Sequence, residues 1–570
     1  MYKYLLIAMI TFLGFSQLKA QKDRKINFVG TARSLMNSNY LSVRDSIPDT
    51  ASVKRNDGGY ALVDLGVNIK PNKNTEILGM FRIRNEFGGF WGSGVSFDVR
   101  QLWVKGVVAN ALRYQLGDLN LKQTPFTLFN HHADQIDSMP EVFNLQRNIV
   151  SYERFYMNNN TWRMQGANVD FGLSFSKYLK EINVNAFLTR VNATNFTSVP
   201  DRLMSGYTIQ FVQSKNLQLS FNSNHIFDVK GTVANDNLFK SSVNTIDWKL
   251  KRDLARKSFL FGGEIGQSHY QYTNDTLAPD LKDYFVHAYA QMSIPKWNLT
   301  GTIGYLNVGP DFRSIGAQSK DINYNAVPVY FDRYTNDQRI RPITLFDVVG
   351  NENIYNRTIT TSLMSENQLF NQVLPYGIST FNRVGGYAKI QYKNKKGIDI
   401  TSQYYKLNEI RGQGSFALRD MSIFKLNASV SINQLIKTKK LIALQVGTMM
   451  QTTNRSSDQS IENMDLKSNQ YTLGFRWELF SNFELMLGYI LQQNDGHDYL
   501  PTRNGYTEIT YFNRSDYQVK QELAAAGIRY NFSSKTYLCV LYQQSKFTDK
   551  LNISPGFSIN QFGIIYNITL

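Results

Sequence analysis

The sequence predicts an all-β fold: a single transmembrane antiparallel β-barrel of about 22 strands, or about 20 if one hairpin is lost. Three observations predict it. Apolar and polar residues alternate with a period of two from one end of the chain to the other. The alternating segments are joined by connections that are short and long in turn. Past the first residues, no apolar run reaches the roughly 18 residues a membrane-spanning helix needs. A mean hydropathy of −0.34 and 13% aromatics, with 33 Tyr and 37 Phe, suit a barrel, in which only every second strand residue has to be apolar.

The first segment, MYKYLLIAMITFLGFSQLKA, carries Lys3, an apolar stretch from Leu5 to Phe15 and the small Ala20 before a cut. Residues 1–20 are therefore expected to be a secretory signal peptide, and 21–570 one exported barrel domain. Cys539 is the single cysteine, which rules out an internal disulfide framework and the usual Cys/His zinc sites. No metal or cofactor is expected. The net charge is +17. For an exported chain nucleic acid is no partner; anionic headgroups, an anionic solute or solvated turns such as Lys393, Lys395, Lys396, Lys437, Lys439 and Lys440 account for the charge.

Strands are expected near 26–36, 59–70, 75–87, 95–108, 111–119, 161–175, 182–192, 204–214, 216–228, 241–252 and 259–271. The rest fall near 283–294, 297–309, 378–393, 398–410, 416–433, 440–454, 468–480, 483–496, 517–533, 535–548 and 557–570. In the second strand Ala61, Val63, Leu65, Val67 and Ile69 alternate with Leu62, Asp64, Gly66 and Asn68. Short connections include PNKN (71–74), 109–110, 214–215, 394–397 and 533–535. Long ones include 37–58, 120–160, 229–240, 310–377 and 497–516. Short periplasmic turns set against long extracellular loops mark an outer-membrane barrel, and an even strand count returns both ends to the short-turn side. Aromatics at strand ends (Tyr60, Trp103, Trp162, Trp248, Trp297, Tyr392 and Trp477) fit interfacial girdles.

A charge on the lipid face costs about 2–4 kcal/mol at the midplane, so charged strand positions are expected to face the lumen. These are Glu76, Arg82, Arg84, Glu86, Asp98, Arg100, Asp170, Asp247, Lys249, Glu264, Arg383, Lys389, Arg476, Glu478 and Arg529. They either brace the wall as ion pairs or set up a transverse field that orients a polar solute. Loops 120–160 and 310–377 carry too much apolar mass to stay in water and are expected to fill or cap the lumen. Arg313, Gln318, Arg339, Arg341 and Asp347 of the second loop are candidates for a constriction. Catalysis has little support: His131, His132 and Asp134 form a loose metal-like cluster, and Asp495, His497 and Asp498 sit in an expected hydrophilic loop. His287 has no evident nucleophile beside it, and no G-x-S-x-G, H-E-x-x-H or P-loop occurs.

The final strand, QFGIIYNITL, alternates to the last residue and resembles the assembly signal of Gram-negative outer-membrane β-barrels, although Leu570 replaces the usual terminal aromatic. The loop text GPDFRSIGAQSKDINY, RIRPITLFD and LPYGISTFNRVGG resembles an outer-membrane barrel family of the Bacteroidota. That likeness implies the outer membrane as location. It also implies lipid and lipopolysaccharide around the barrel and the barrel-assembly machinery for insertion; it lends no activity, and partners in an outer-membrane complex are expected only if the folded loops seal the barrel. The strand number is similar to that of TonB-dependent transporters, but no plug domain is expected before the first strand. Two functions follow: a passive, porin-like channel for polar solutes, with Arg82, Arg84, Arg383, Arg476 and Arg529 lining it, or a loop-sealed scaffold in a surface or secretion complex.

Overall fold

A computed structural model of the chain describes residues 25–43, 53–87, 94–134, 136–155, 160–234, 237–273, 278–332, 341–364, 366–413, 415–459, 462–503, 509–551 and 556–569. The expected signal peptide, residues 1–20, and Arg339 lie outside the described residues.

The described residues form one closed, 22-stranded antiparallel sheet. Its strands are β1 (Ile26–Val43), β2 (Arg55–Asn72), β3 (Thr75–Glu86), β4 (Val95–Val108), β5 (Leu112–Leu121), β6 (Trp162–Ser174), β7 (Glu181–Asn192) and β8 (Arg202–Val212). There follow β9 (Leu217–Asp228), β10 (Leu238–Leu254), β11 (Lys257–Thr273), β12 (Leu281–Ile294), β13 (Leu299–Val308), β14 (Arg383–Lys393) and β15 (Ile398–Asn408). The last are β16 (Asp420–Ser431), β17 (Ile442–Arg455), β18 (Met464–Phe480), β19 (Phe483–Arg503), β20 (Ile509–Asn531), β21 (Tyr537–Asp549) and β22 (Phe557–Thr569). Each strand pairs with its sequence neighbours, and β1 closes the ring against β22 from Thr31↔Thr569 to Val43↔Phe557. In a closed ring every strand has a partner on both sides, the condition for sheet inside a bilayer.

Period-2 alternation sets the two faces. On β22, Phe562 and Tyr566 are exposed while Gln561 and Ile565 are buried inward. Phe28, Phe97, Ile303 and Leu473 continue the exposed apolar surface around the outside, the band that meets lipid hydrocarbon. Strands extend into two expected loops: β1 and β2 reach into 37–58, and β19 and β20 make up most of 497–516. Polar alternation is no obstacle beyond the bilayer, where cross-strand bonds such as Ser38 Oγ donating to Asp57 Oδ1 (2.6 Å) extend the hairpin. Asp495, His497 and Asp498 are therefore residues of β19, not of a loop.

The two longest connections turn into the barrel. The first carries helix α1 (Glu141–Arg154) and the second a short helix α2 (Leu345–Gly350). Val142, Phe143, Leu145, Ile149 and Val150 of α1 share one apolar core with Leu345, Val348 and Val349 of α2. The inward residues Met486, Ile490, Leu523, Cys539, Leu541 and Ile565 of β19–β22 complete it. Fully burying a side chain such as Phe143 contributes about 1.5–3 kcal/mol, which holds these segments inside.

Candidate functional site

Helix α1 bridges the lumen, and both its ends are anchored by ions. It begins after Pro140 and ends at Phe155, whose positive φ of 61° turns the chain out of the helix. At its N-terminal end Glu141 accepts from Arg529 Nη1 of β20 (2.9 Å), in the first turn, where a carboxylate suits the helix dipole. Arg529 Nη2 also reaches Glu484 Oε2 of β19 (2.7 Å), which in turn takes Arg476 Nη2 of β18 (3.1 Å). The helix can approach this wall because two inward positions are glycine. A Cβ on Gly488 would lie 2.6 Å from Val142 Cγ1, and one on Gly474 would lie 3.0 Å from Pro140 Cβ.

The other end meets a denser cluster on β1–β4. Arg82 donates to Asp64 from both Nε and Nη2 (2.7 Å each), directly across the β2–β3 hairpin, and to Glu153 of α1. Arg33 Nη1 reaches the same Glu153 at 3.1 Å. Arg100 Nε lies 3.2 Å from Asp64, and Tyr152 Oη donates to Asp64. Arg100 is aimed inward by a β-bulge: Met80 pairs with Gln101 and Phe81 with Val99, leaving Arg100 between them. Its guanidinium and that of Arg163 lie over the Phe155 ring at 4.1 and 3.6 Å. Buried charges this close stay charged only as a mutually compensating set.

Two cavities follow one another along this wall. The lower, of about 440 Å³, lies among the short turns and is lined by Lys70, Lys73, Lys105 and Arg113 against Glu76 and Asp170. The upper, of about 760 Å³, is on the long-loop side. It is lined by Arg82, Arg84, Arg100, Arg154, Arg163, Arg190 and Arg357 against Asp98, Asp118, Glu153 and Glu352. Glu76 and Arg82 share β3, and Lys105 and Arg100 share β4, so the same strands line both. Cations outnumber carboxylates in each, a lining that attracts anions.

The other residues singled out from sequence are placed as follows. Arg84 lies over the Tyr60 ring at 4.0 Å, and its Nε donates to Glu86 Oε1 (2.5 Å). Arg383 is buried and donates to the Val373 carbonyl (3.0 Å). Lys389 is half-buried between Thr302 and Gln403. Glu478 accepts from the backbone N–H groups of Leu441 and Asn482 (3.1 Å each) and so ties down short turns.

In the long second loop, Arg341 and Asp347 are fully buried and bind each other through two bonds of 2.6 and 2.8 Å at the start of α2. Gln318 donates to the Ser379 carbonyl (2.7 Å), and Arg313 donates to the Phe312 carbonyl (2.9 Å) with its guanidinium over Phe381. These four residues knit the loop to itself and line neither of the two cavities. The histidine cluster disperses: His131 donates to the Pro125 carbonyl (3.1 Å), His132 contacts Asp321 (3.1 Å), and Asp134 pairs with Lys320 (3.1 Å). Burial pushes His131 down to about 4 and Asp134 up to about 6.

Sequence reasoning missed Arg33, Tyr152, Glu153, Asp118 and Arg163 as members of the site, and noted Asp64 only as an alternating position of the second strand. For Asp64 a signal existed: a turn centred on Lys73 sets Asp64 opposite Arg82. For Glu153 none did, because its loop has no strand periodicity.

No protein-family model matches the chain, and no curated protein does. Solved structures similar to it include OpdO of Pseudomonas aeruginosa, at 9% identity and a TM-score of 0.34, covering 95% of this chain and 98% of that one. A BenF-like porin from Pseudomonas fluorescens Pf-5 is also 9% identical with a TM-score of 0.34, over 95% and 99%. OccK10 (OpdN) of P. aeruginosa is 8% identical with a TM-score of 0.38, over 81% and 99%. At such scores the barrel is established by its own strand pairing.

Proposed function

We propose that the chain is an outer-membrane channel that passes small polar solutes passively, anions before cations, along β3–β7. The observation that carries this reading is the succession of two cation-rich cavities on the same strands, with the Arg33–Asp64–Arg82–Arg100–Glu153 cluster at the near edge of the upper one. Short turns lie in the periplasm and long loops outside, as in bacterial barrels generally. Lipid and lipopolysaccharide surround the apolar band, and the barrel-assembly machinery inserts it. No catalytic step belongs to this reading. The role of the four knitted loop residues is to hold the plug, and the constriction is formed by the arginine cluster instead.

The test is conductance of the purified full-length protein in a planar bilayer under a salt gradient. A small, anion-selective current is expected, and Glu153→Gln is expected to raise its anion selectivity. A second reading is favoured by the apolar core that packs α1 and α2 against β19–β22: a sealed barrel serving as a complex subunit. Absence of current in the bilayer together with absence of solute uptake in liposomes would select it.

A further inference from the structure

The barrel wall is incomplete between β4 and β5. The two strands pair over six residues, Trp103↔Gly117 to Val108↔Leu112. That is ~20 Å of strand, or ~15 Å of height at the usual tilt, against an apolar band ~25 Å tall. The flanking ladders run on: β3 pairs with β4 up to Asn85↔Val95, and β5 with β6 up to Leu121↔Trp162. The break is built into the sequence. Gly117 takes a φ of 96°, and a Cβ there would lie 2.4 Å from the Leu102 carbonyl oxygen. Asp118 Oδ2 then accepts from the Leu102 N–H (2.6 Å), and Arg163 Nη2 donates to the Arg100 carbonyl (2.6 Å). Side chains thus replace the missing ladder. An open sheet edge at bilayer depth is tolerated only where it lines a cavity or is covered.

The upper cavity is that cavity, and it passes through the wall. Val99 lines it, yet Val99 pairs with Phe81 on the outward, apolar face of β4. Arg163 and Gln165 also line it from outward positions of β6, since Trp162 and Met164 between and beside them are buried in the inner core. Arg100 and Arg84 face it from inside. Arg163 Nε is buried without a hydrogen-bond partner, and exposed Arg357 lines the same cavity. One rim of the opening is apolar, with Phe97 and Val99 exposed at 66% and 60%; the interior is cationic.

We propose that this opening is a lateral portal and binding site for an anionic amphiphile. Its phosphate or carboxylate head is held by Arg100, Arg163 and Arg357, and its alkyl chain leaves between β4 and β5 into the outer half of the bilayer. Guanidinium donors suit such heads. The proposal is independent of conduction through the lower cavity.

The test is calorimetric titration of the full-length protein, in nanodiscs of zwitterionic lipid, with dodecyl phosphate and separately with inorganic phosphate. One saturable dodecyl phosphate site is expected, with inorganic phosphate failing to compete at the same concentration. Arg163→Gln is expected to weaken it about tenfold, the loss of one charge-assisted bond. Val99→Trp, on the lipid face and outside the buried cluster, is expected to weaken or slow binding by narrowing the portal, with heat-modifiable gel mobility reporting that the variants fold. Equal competition by inorganic phosphate, or unchanged binding in both variants, would overturn the proposal. Repeating the titration with phosphatidylglycerol in the nanodisc separates the sources. Competition identifies a resident lipid headgroup as the natural occupant, no competition a free amphiphile, and either supports the shared chemistry.

Discussion

The inner faces of β2–β4 and of β19–β22 have the same geometry and differ in chemistry where α1 meets them. On β2–β4 the buried inward residues at the C-terminal end of α1 are Asp64, Arg82 and Arg100; along its body β19–β22 present Met486, Ile490, Leu523, Cys539 and Ile565, with Glu484 and Arg529 only at its N-terminal end. The first wall borders charged cavities, while the second packs its apolar stretch dry against α1 and α2. In a barrel an inward apolar position is therefore informative: it marks where a loop has folded back, because such a residue facing water would forfeit its burial energy. One helix touches both walls, apolar along its body and ionic at its ends, so the plug cannot leave one wall without disturbing the other.

That contrast can be broken from either side. The largest effect is expected from Phe143→Ala, which empties a fully buried site on the dry wall and costs about 3–5 kcal/mol. Trypsin should then cleave the luminal loops and bilayer current should rise. Glu153→Gln on the wet wall leaves Arg33 and Arg82 with a weaker partner and costs about 1.5–3 kcal/mol. Its main signature is a shift of reversal potential toward anions. Gly488→Leu would press on Val142 and Pro140 and cost about 1–3 kcal/mol by overpacking; hydrogen exchange in α1 should quicken while anion selectivity stays. Arg357→Ala, exposed in the upper cavity, should change stability by no more than about 0.5 kcal/mol while lowering anion current.

The smallest effect is a pH dependence of the loop around His131. Burial holds its folded pKa at about 4, below the ordinary histidine value of about 6.5. Its stabilising contribution is thus full above 6.5 and is lost as pH falls toward 4, where the unfolded loop takes up a proton that the folded one refuses. Asp134, raised to about 6, acts in the opposite sense over an overlapping range. Proteolysis of the loop from pH 7 to 4 should therefore be more acid-sensitive in Asp134→Asn than in the unaltered chain.

The strands were legible because alternation is a local property: β3, β18 and β22 can be read from their own residues. Hairpin register was legible as well, wherever a short turn such as 71–74 fixes it. The luminal contacts were not. Glu153 meets Arg82 across 71 residues of chain, and nothing in VSYERFY marks which wall it will face. The same limit applies to Arg341 and Asp347, which look like pore charges in sequence but satisfy each other in the interior. The break between β4 and β5 rests on a single Gly-Asp pair, Gly117 and Asp118, inside a segment that otherwise reads as regular strand.

The central claim is that solute passes along β3–β7 and not past β19–β22. Cysteine accessibility tests it most directly, because the native Cys539 is fully buried beneath the plug and should not react. Bilayer current is recorded while a charged thiol reagent is added to Arg84→Cys, on the wet wall, and to Gln521→Cys, on the dry one. Block in Arg84→Cys with none in Gln521→Cys is the expected result. Block in Gln521→Cys alone, or no current to block, would contradict it.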